Sequence, residues 1–213
     1  MEPRKSSPGV FTPKNYNMSL KFFANSNILV IGSTGSGKTT AVLKIIKERL
    51  IEPMPTKIFY MYGAHQPFMD NWNSGDNPKI TFIEGLQLGV IDKHEGPKLL
   101  ICDDLIMSLS RDLAKHFIAG SHHKETTTIF ITHSLFLNNE LYRLISNNSQ
   151  YIMLFKNKRN FSQVSRLGRQ VLGVEYQRLL EAYKYIRAFQ FVLLSFHPCV
   201  PDELLVTVHK KNG

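Results

Sequence analysis

Residues Gly32-Ser33-Thr34-Gly35-Ser36-Gly37-Lys38-Thr39 place three glycines, a lysine and a hydroxyl in the spacing G-x-x-x-x-G-K-[ST], which is suited to capturing a triphosphate. The glycines allow a turn tight enough for consecutive backbone N–H groups to point at a β-phosphate. The positive end of a following helix adds to that attraction. Lys38 is expected to reach the β- and γ-phosphates of ATP, and the Thr39 hydroxyl to ligate Mg2+. Thr40 extends the nucleotide-binding string by one residue. The competing reading is a structural glycine turn. A second set of chemical groups, Asp103 and Asp104, closes the apolar run Leu99-Leu100-Ile101-Cys102, sixty-five residues after Lys38. In such a Walker B arrangement Asp103 holds Mg2+ through water at the carboxyl edge of a sheet. Asp104 orients and polarises the water that attacks the γ-phosphate.

Two further candidates complete the chemistry. The run Thr127-Thr128-Ile129-Phe130-Ile131 delivers Thr132-His133-Ser134 to the same sheet edge, where a polar side chain can sense the γ-phosphate. His133 is the leading candidate, with Thr132 and Ser134 as alternates and a helix-capping cluster as the plain reading. Hydrolysis in a ring also calls for a positive charge at the transition state, supplied by a neighbouring subunit. Arg143 lies in the otherwise uncharged stretch Leu141 to Asn148 and suits that role, in competition with Arg111, Arg159, Arg166 and Arg169. Cys102 reads as a packed strand residue, and His122 and His123 as exposed loop residues.

The elements that must hold these groups are legible as apolar runs alternating with helical patterns, the signature of a parallel sheet with crossover helices. Strands are expected at 27–31, 57–62, 79–83, 98–103, 127–132, 150–155, 190–196 and 204–208. A helix follows the glycine loop through Ala41 to Leu50. Leu109, Leu113 and Phe117 predict another over 108–120, and Tyr176, Leu179, Leu180, Tyr183 and Ile186 a third over 174–187. Residues 64–77, with Pro67, Trp72 and Gly75, read as a surface loop. The expected fold class is α/β, a P-loop NTPase of the RecA/FtsK-like type with a mainly parallel central sheet flanked by helices. Residues 1–24, rich in Pro, Ser and Asn, read as a flexible basic arm, and 25–213 as a single ATPase domain.

The composition, 43% hydrophobic and 11% aromatic over 213 residues, is that of a globular chain. Two distant cysteines, Cys102 and Cys199, suggest free thiols in a reducing compartment and no zinc site. No stretch approaches membrane-spanning length, so a soluble, intracellular protein without a membrane partner is expected. The net charge of +9 is unevenly distributed. Residues 1–24 carry four basic groups against Glu2. Residues 25–155 hold twelve of each sign, and 156–187 hold eight basic groups against Glu175 and Glu181. A neutral core with two basic blocks suits a polyanionic partner. The plain alternative is a solvated helix face on which Arg178, Glu181, Lys184 and Arg187 recur, Glu181 pairing with its neighbours.

The stretches Gly120 to Lys124, Ile129 to Phe136, Arg143 to Asn148 and Tyr151 to Asn157, together with the two Walker elements, resemble the FtsK/HerA superfamily. The likeness is to the poxvirus-type genome-packaging ATPases of viruses and virus-like self-synthesising transposons, and it covers roughly residues 25 to 200. The resemblance implies ATP hydrolysis by a homo-oligomeric ring, a hexamer or pentamer, that moves double-stranded DNA into a capsid, with a capsid or portal protein as partner. It also implies a place in the host cell, at the nucleus or viral assembly site, or in association with the virion. Lys38, Thr39, Asp103 and Asp104 match the family's phosphate, metal and catalytic positions. His133 departs from the glutamine common there. A small-molecule or nucleotide kinase shares the glycine loop, but would need a mobile Arg-rich lid, for which only 156–187 offers a candidate. A non-hydrolysing nucleotide-binding scaffold is the third reading.

Overall fold

A computed structural model describes residues 20–120, 125–135, 140–157, 159 and 161–209. The central strands are buried on both faces, as expected for a sheet sandwiched between helices. Every position of β2 (Asn27–Ile31), β6 (Lys98–Asp103), β7 (Thr126–Thr132) and β8 (Tyr151–Phe155) is buried. Alternate residues point to opposite faces. Ile28, Val30, Ile101 and Ile129 pack with Val42, Ile45 and Ile46 of helix α1 (Lys38–Lys47). Leu29, Leu100, Cys102, Phe130 and Leu154 belong to a second core. That core includes Leu113 of α4 (Arg111–Lys115), Tyr142 and Ile145 of α5 (Glu140–Asn147), Val164 and Leu167 of α6 (Phe161–Leu172), and Leu179 and Tyr183 of α7 (Tyr176–Tyr185).

The remaining elements are the strands β1 (Phe22–Phe23), β3 (Ile51–Glu52), β4 (Lys57–Tyr62), β5 (Thr81–Glu84), β9 (Phe191–Ser195) and β10 (Val206–His209), with the short helices α2 (Phe68–Trp72) and α3 (Leu88–Asp92). The main sheet runs β10-β9-β8-β2-β7-β6-β4-β5. Its strands from β8 to β5 are parallel, and β9 and β10 extend the β8 edge in antiparallel pairing. Ile31 pairs with Thr132, and Ile131 with Asp103. The glycine loop, the sensor segment and the acidic pair therefore leave the sheet level with one another, at the carboxyl edge where open α/β sheets bind ligands. β7 lies between β2 and β6, so its terminal residue falls between the loop and the acids.

Several expectations change at the level of packing. Residues 64–77 are not a bare surface loop: α2 buries Met69 and Trp72, and the Trp72 indole donates to the Pro78 carbonyl at 2.8 Å. The helix expected over 108–120 is broken. Leu109 is extended at its ψ of 124°, the Ser110 hydroxyl caps α4 by accepting from the Leu113 amide, and residues His116–Gly120 form a wider π turn. α7 ends at Tyr185 because Ile186 is extended, so Arg187 leaves the helix. Arg178 pairs with Glu175 at 2.6 Å. The proposed arm lies mostly outside the described residues. At its end, β1 pairs with β3, and Phe22 is buried edge-on against Tyr151. His122 and His123 also lie outside the described residues. Among the described residues, no helix is long and apolar enough to cross a membrane.

Candidate active site

Gly32 follows the last residue of β2, and its amide donates to the Thr132 carbonyl at 3.2 Å, tying the loop to β7. A side chain at Gly32 would put Cβ 2.6 Å from Cβ of Phe155 and 2.7 Å from the Ser36 hydroxyl. Gly35 and Gly37 take the left-handed φ values of 72° and 100°, which side chains resist. Gly37 offers no side-chain cap to α1, and the first turn of that helix carries no acid. Its leading N–H groups are thus free of a competing carboxylate, an arrangement that favours an incoming anion.

Lys38 is buried, and its ammonium is held on the Gly32 and Ser33 carbonyls at 2.8 and 2.9 Å and on Nδ1 of His133 at 3.1 Å. Burial lowers the pKa of Lys38, while the nearby charges of Asp103 and Asp104 oppose that shift. A protonated lysine can only donate, so Nδ1 of His133 accepts and the ring proton sits on Nε2. Nε2 faces Oδ1 of Asp104 at 3.8 Å, too long for a direct hydrogen bond. Lys38 at the start of α1, His133 after β7 and Asp104 after β6 therefore lie side by side, the first two in direct contact. Behind them, the Ser134 amide donates to Oγ1 of Thr132, and the Tyr142 hydroxyl to the Ser134 carbonyl.

Asp103 is buried, and three donors converge on its Oδ2: the Tyr60 hydroxyl at 2.5 Å, Nε2 of Gln66 at 2.9 Å and the Thr39 hydroxyl at 3.5 Å. Burial first, then the Asp103 charge, pushes the Tyr60 pKa far up, so its hydroxyl keeps the proton that it donates. Asp104 turns away into solvent at a φ of 55°, a left-handed conformation that costs a non-glycine residue of order 1–3 kcal/mol. Gly63 at the end of β4 makes room for it: a Cβ there would lie 2.6 Å from the Asp104 carbonyl. One acid is held inward and the next outward, although the two are adjacent in sequence.

The structure thus brings together Lys38, Thr39, Asp103, Asp104 and His133, with Ser33, Thr34 and Ser36 in the loop and Thr40 exposed on the first turn of α1. Thr132 and Ser134 are engaged in backbone support of His133. Arg143 is exposed on α5 and, among the described residues, is not one of the side chains that meet at this site. Cys102 is buried and its thiol pKa is raised by that burial, in keeping with a packed strand residue. Sequence reasoning missed Tyr60 and Gln66; the one available signal was a phenol inside the apolar run of β4. The oxygen donors of Thr39 and Asp103 suit Mg2+, which is held by one or two protein groups and otherwise by water and phosphate. Among the described residues, no three or more His, Cys, Asp or Glu side chains are grouped so as to hold a metal ion.

No family model matches the chain, and no curated protein matches its sequence. Solved structures do match its fold. The DNA-packaging ATPase B204 from Sulfolobus Turreted Icosahedral Virus superposes with a TM-score of 0.61 at 10% identity, over 88% of this chain and 98% of that one. The genome packaging NTPase B204 from Sulfolobus turreted icosahedral virus 2, in complex with ATP-gammaS, gives 0.57 at 10% identity, over 87% and 97%. The same NTPase with AMPPCP gives 0.53 at 10% identity, over 91% and 99%. The fold is therefore that of the RecA-like P-loop NTPases, with a mainly parallel sheet flanked by helices.

Proposed function

We propose that this chain is a Mg2+-dependent ATPase whose turnover drives double-stranded DNA. In this reading it is the motor of a genome-packaging system of the poxvirus type within the FtsK/HerA superfamily, and works as a homo-oligomeric ring. The observation that carries the reading is the meeting of Lys38, Thr39, Asp103, Asp104 and His133 at one sheet edge. The nearly full-length likeness to solved packaging ATPases supports it.

The loop N–H groups bind the β-phosphate. Lys38 exchanges the Gly32 and Ser33 carbonyls and His133 for β- and γ-phosphate oxygens. Thr39 and Asp103 hold Mg2+, which when bound would neutralise charge on the β- and γ-oxygens. Asp104, exposed beside His133, orients a water on the γ-phosphorus. As the new P–O bond forms, the bond to the ADP oxygen breaks and the water proton passes toward Asp104. Release of Nδ1 by Lys38 frees His133 to respond to the γ-phosphate, the role expected of a sensor. Arg143, exposed on α5, would serve the active site of a neighbouring subunit.

The basic block 156–187 divides into side chains engaged within the fold and side chains that are exposed. Lys156 caps the carboxyl end of α7 through the Tyr183 and Lys184 carbonyls, and Arg178 pairs with Glu175. Arg159, Arg166, Arg169, Lys184 and Arg187 are exposed and are the proposed phosphate contacts of DNA. The block is two helices packed through Val164, Leu167, Leu179 and Tyr183, which disfavours the mobile lid that a kinase would need. Asp104→Asn tests the assignment: ATP binding is retained and hydrolysis lost. Unaltered turnover would remove Asp104 from the mechanism.

A further inference from the structure

The turn between α7 and β9 reaches the glycine loop. The Phe189 amide donates to the Ser36 carbonyl at 3.2 Å, and the turn is closed by the Gln190 amide on the Arg187 carbonyl and by the Arg187 amide on the Gln190 side chain. Phe189 has a φ of 61°, and half of its surface is exposed. Its ring lies beside Gly37: a Cβ there would stand 2.7 Å from Cδ1 and 3.3 Å from Cα of Phe189. An aromatic residue in a left-handed conformation is a costly choice, and such outliers concentrate at ligand sites. Glycine would hold the same turn without strain.

The direction of a bound nucleotide follows from the strand order. Lys38 points to His133 after β7, and Asp103 and Asp104 follow β6, so the γ-phosphate end lies on that side of β2. β8 and β9 lie on the other side of β2. A triphosphate laid across the loop toward β7 sends its ribose and base toward β8 and β9, where Phe189 stands immediately before β9.

We infer that Phe189 is the platform on which the base of a purine nucleoside triphosphate stacks. The inference rests on the glycine loop being a triphosphate site. Face-to-face stacking on an aromatic side chain is favourable for any base and strongest for the larger purine ring area, so binding here is governed by ring area.

Binding of ATP and of inorganic tripolyphosphate, each with Mg2+, to the full chain and its Phe189→Gly and Phe189→Tyr variants tests this by calorimetry. Phe189→Gly keeps the turn and removes the ring. Its ATP affinity should fall roughly tenfold to a hundredfold, the loss of one base–aromatic stack, while tripolyphosphate affinity is unchanged and the thermal midpoint is unchanged or higher. Phe189→Tyr should restore ATP binding. Equal weakening of ATP and tripolyphosphate would mean that Phe189 only props Gly37, and overturns the inference. So would ATP affinity indifferent to the ring. A wild-type chain that binds neither ligand would overturn the triphosphate site itself, an outcome visible before any variant is made.

Discussion

Tyr60→Phe removes one oxygen atom from a fully buried side chain and leaves the shape of β4 intact. The lost bond is the 2.5 Å donation to Oδ2 of Asp103. Hydrogen bonds to a charged group contribute about 1.5–3 kcal/mol. Gln66 at 2.9 Å and Thr39 at 3.5 Å still donate to the same oxygen, so the loss falls at the lower end, about 1.5 kcal/mol of stability. The functional effect is separable from that loss. A carboxylate that holds a metal depends on the donors that orient it, and removing one costs about 10–100-fold in metal affinity or activity. In ATP turnover measured against Mg2+ at saturating ATP, Tyr60→Phe should raise the half-saturating Mg2+ concentration about tenfold. Turnover should recover as Mg2+ is raised, with nucleotide affinity in the absence of metal unchanged. A destabilised protein with wild-type Mg2+ dependence would separate Tyr60 from the metal site, leaving it as a core residue with a satisfied hydroxyl.

Two further outcomes follow from other parts of the molecule. Mixing Arg143→Ala subunits with Lys38→Ala subunits, each inactive alone, should restore part of the ATP turnover if Arg143 acts across a subunit boundary; no rescue at any ratio counts against it. His209 on β10 stacks on Phe191, and burial pulls its pKa down to about 4. The unfolded chain, with an ordinary histidine near pH 6.5, takes up the proton first as the pH falls. The stability that neutral His209 supports is thus complete above pH about 6.5 and is lost as the pH drops toward about 4, by about 3 kcal/mol at most. Urea unfolding across that window should show the loss in wild type and a flatter profile in His209→Gln.

The contiguous motifs were readable because their chemistry is local. The bounds expected for β2, β4 and β6 match those observed, since strands buried on both faces leave unbroken apolar runs. Lys38 with Thr39, and Asp103 with Asp104, are neighbours in the chain before they are neighbours in space. Tyr60 and Phe189 are different. Tyr60 reaches Asp103 only because β4 pairs with β6, and Phe189 reaches Gly37 only because β9 folds back along β8. Strand order sets both contacts, and no local pattern encodes it. The helix α2 is not legible in the sequence because Pro67 and Gly75 advertise a loop, while its two buried side chains, Met69 and Trp72, are too few to show a period. Charge along 156–187 suits a polyanionic partner but does not separate the exposed side chains from Lys156, held on the carbonyl end of α7, and Arg178, paired with Glu175.

The proposed packaging role depends on coupling between hydrolysis at this site and DNA. Its most direct test is the rate of ATP turnover by the purified protein with and without duplex DNA, Asp104→Asn serving as the blank. Faster turnover with duplex DNA, and none in the variant at either condition, is the expected result. Turnover indifferent to DNA, with phosphate transferred to a nucleoside or nucleotide acceptor, would contradict it.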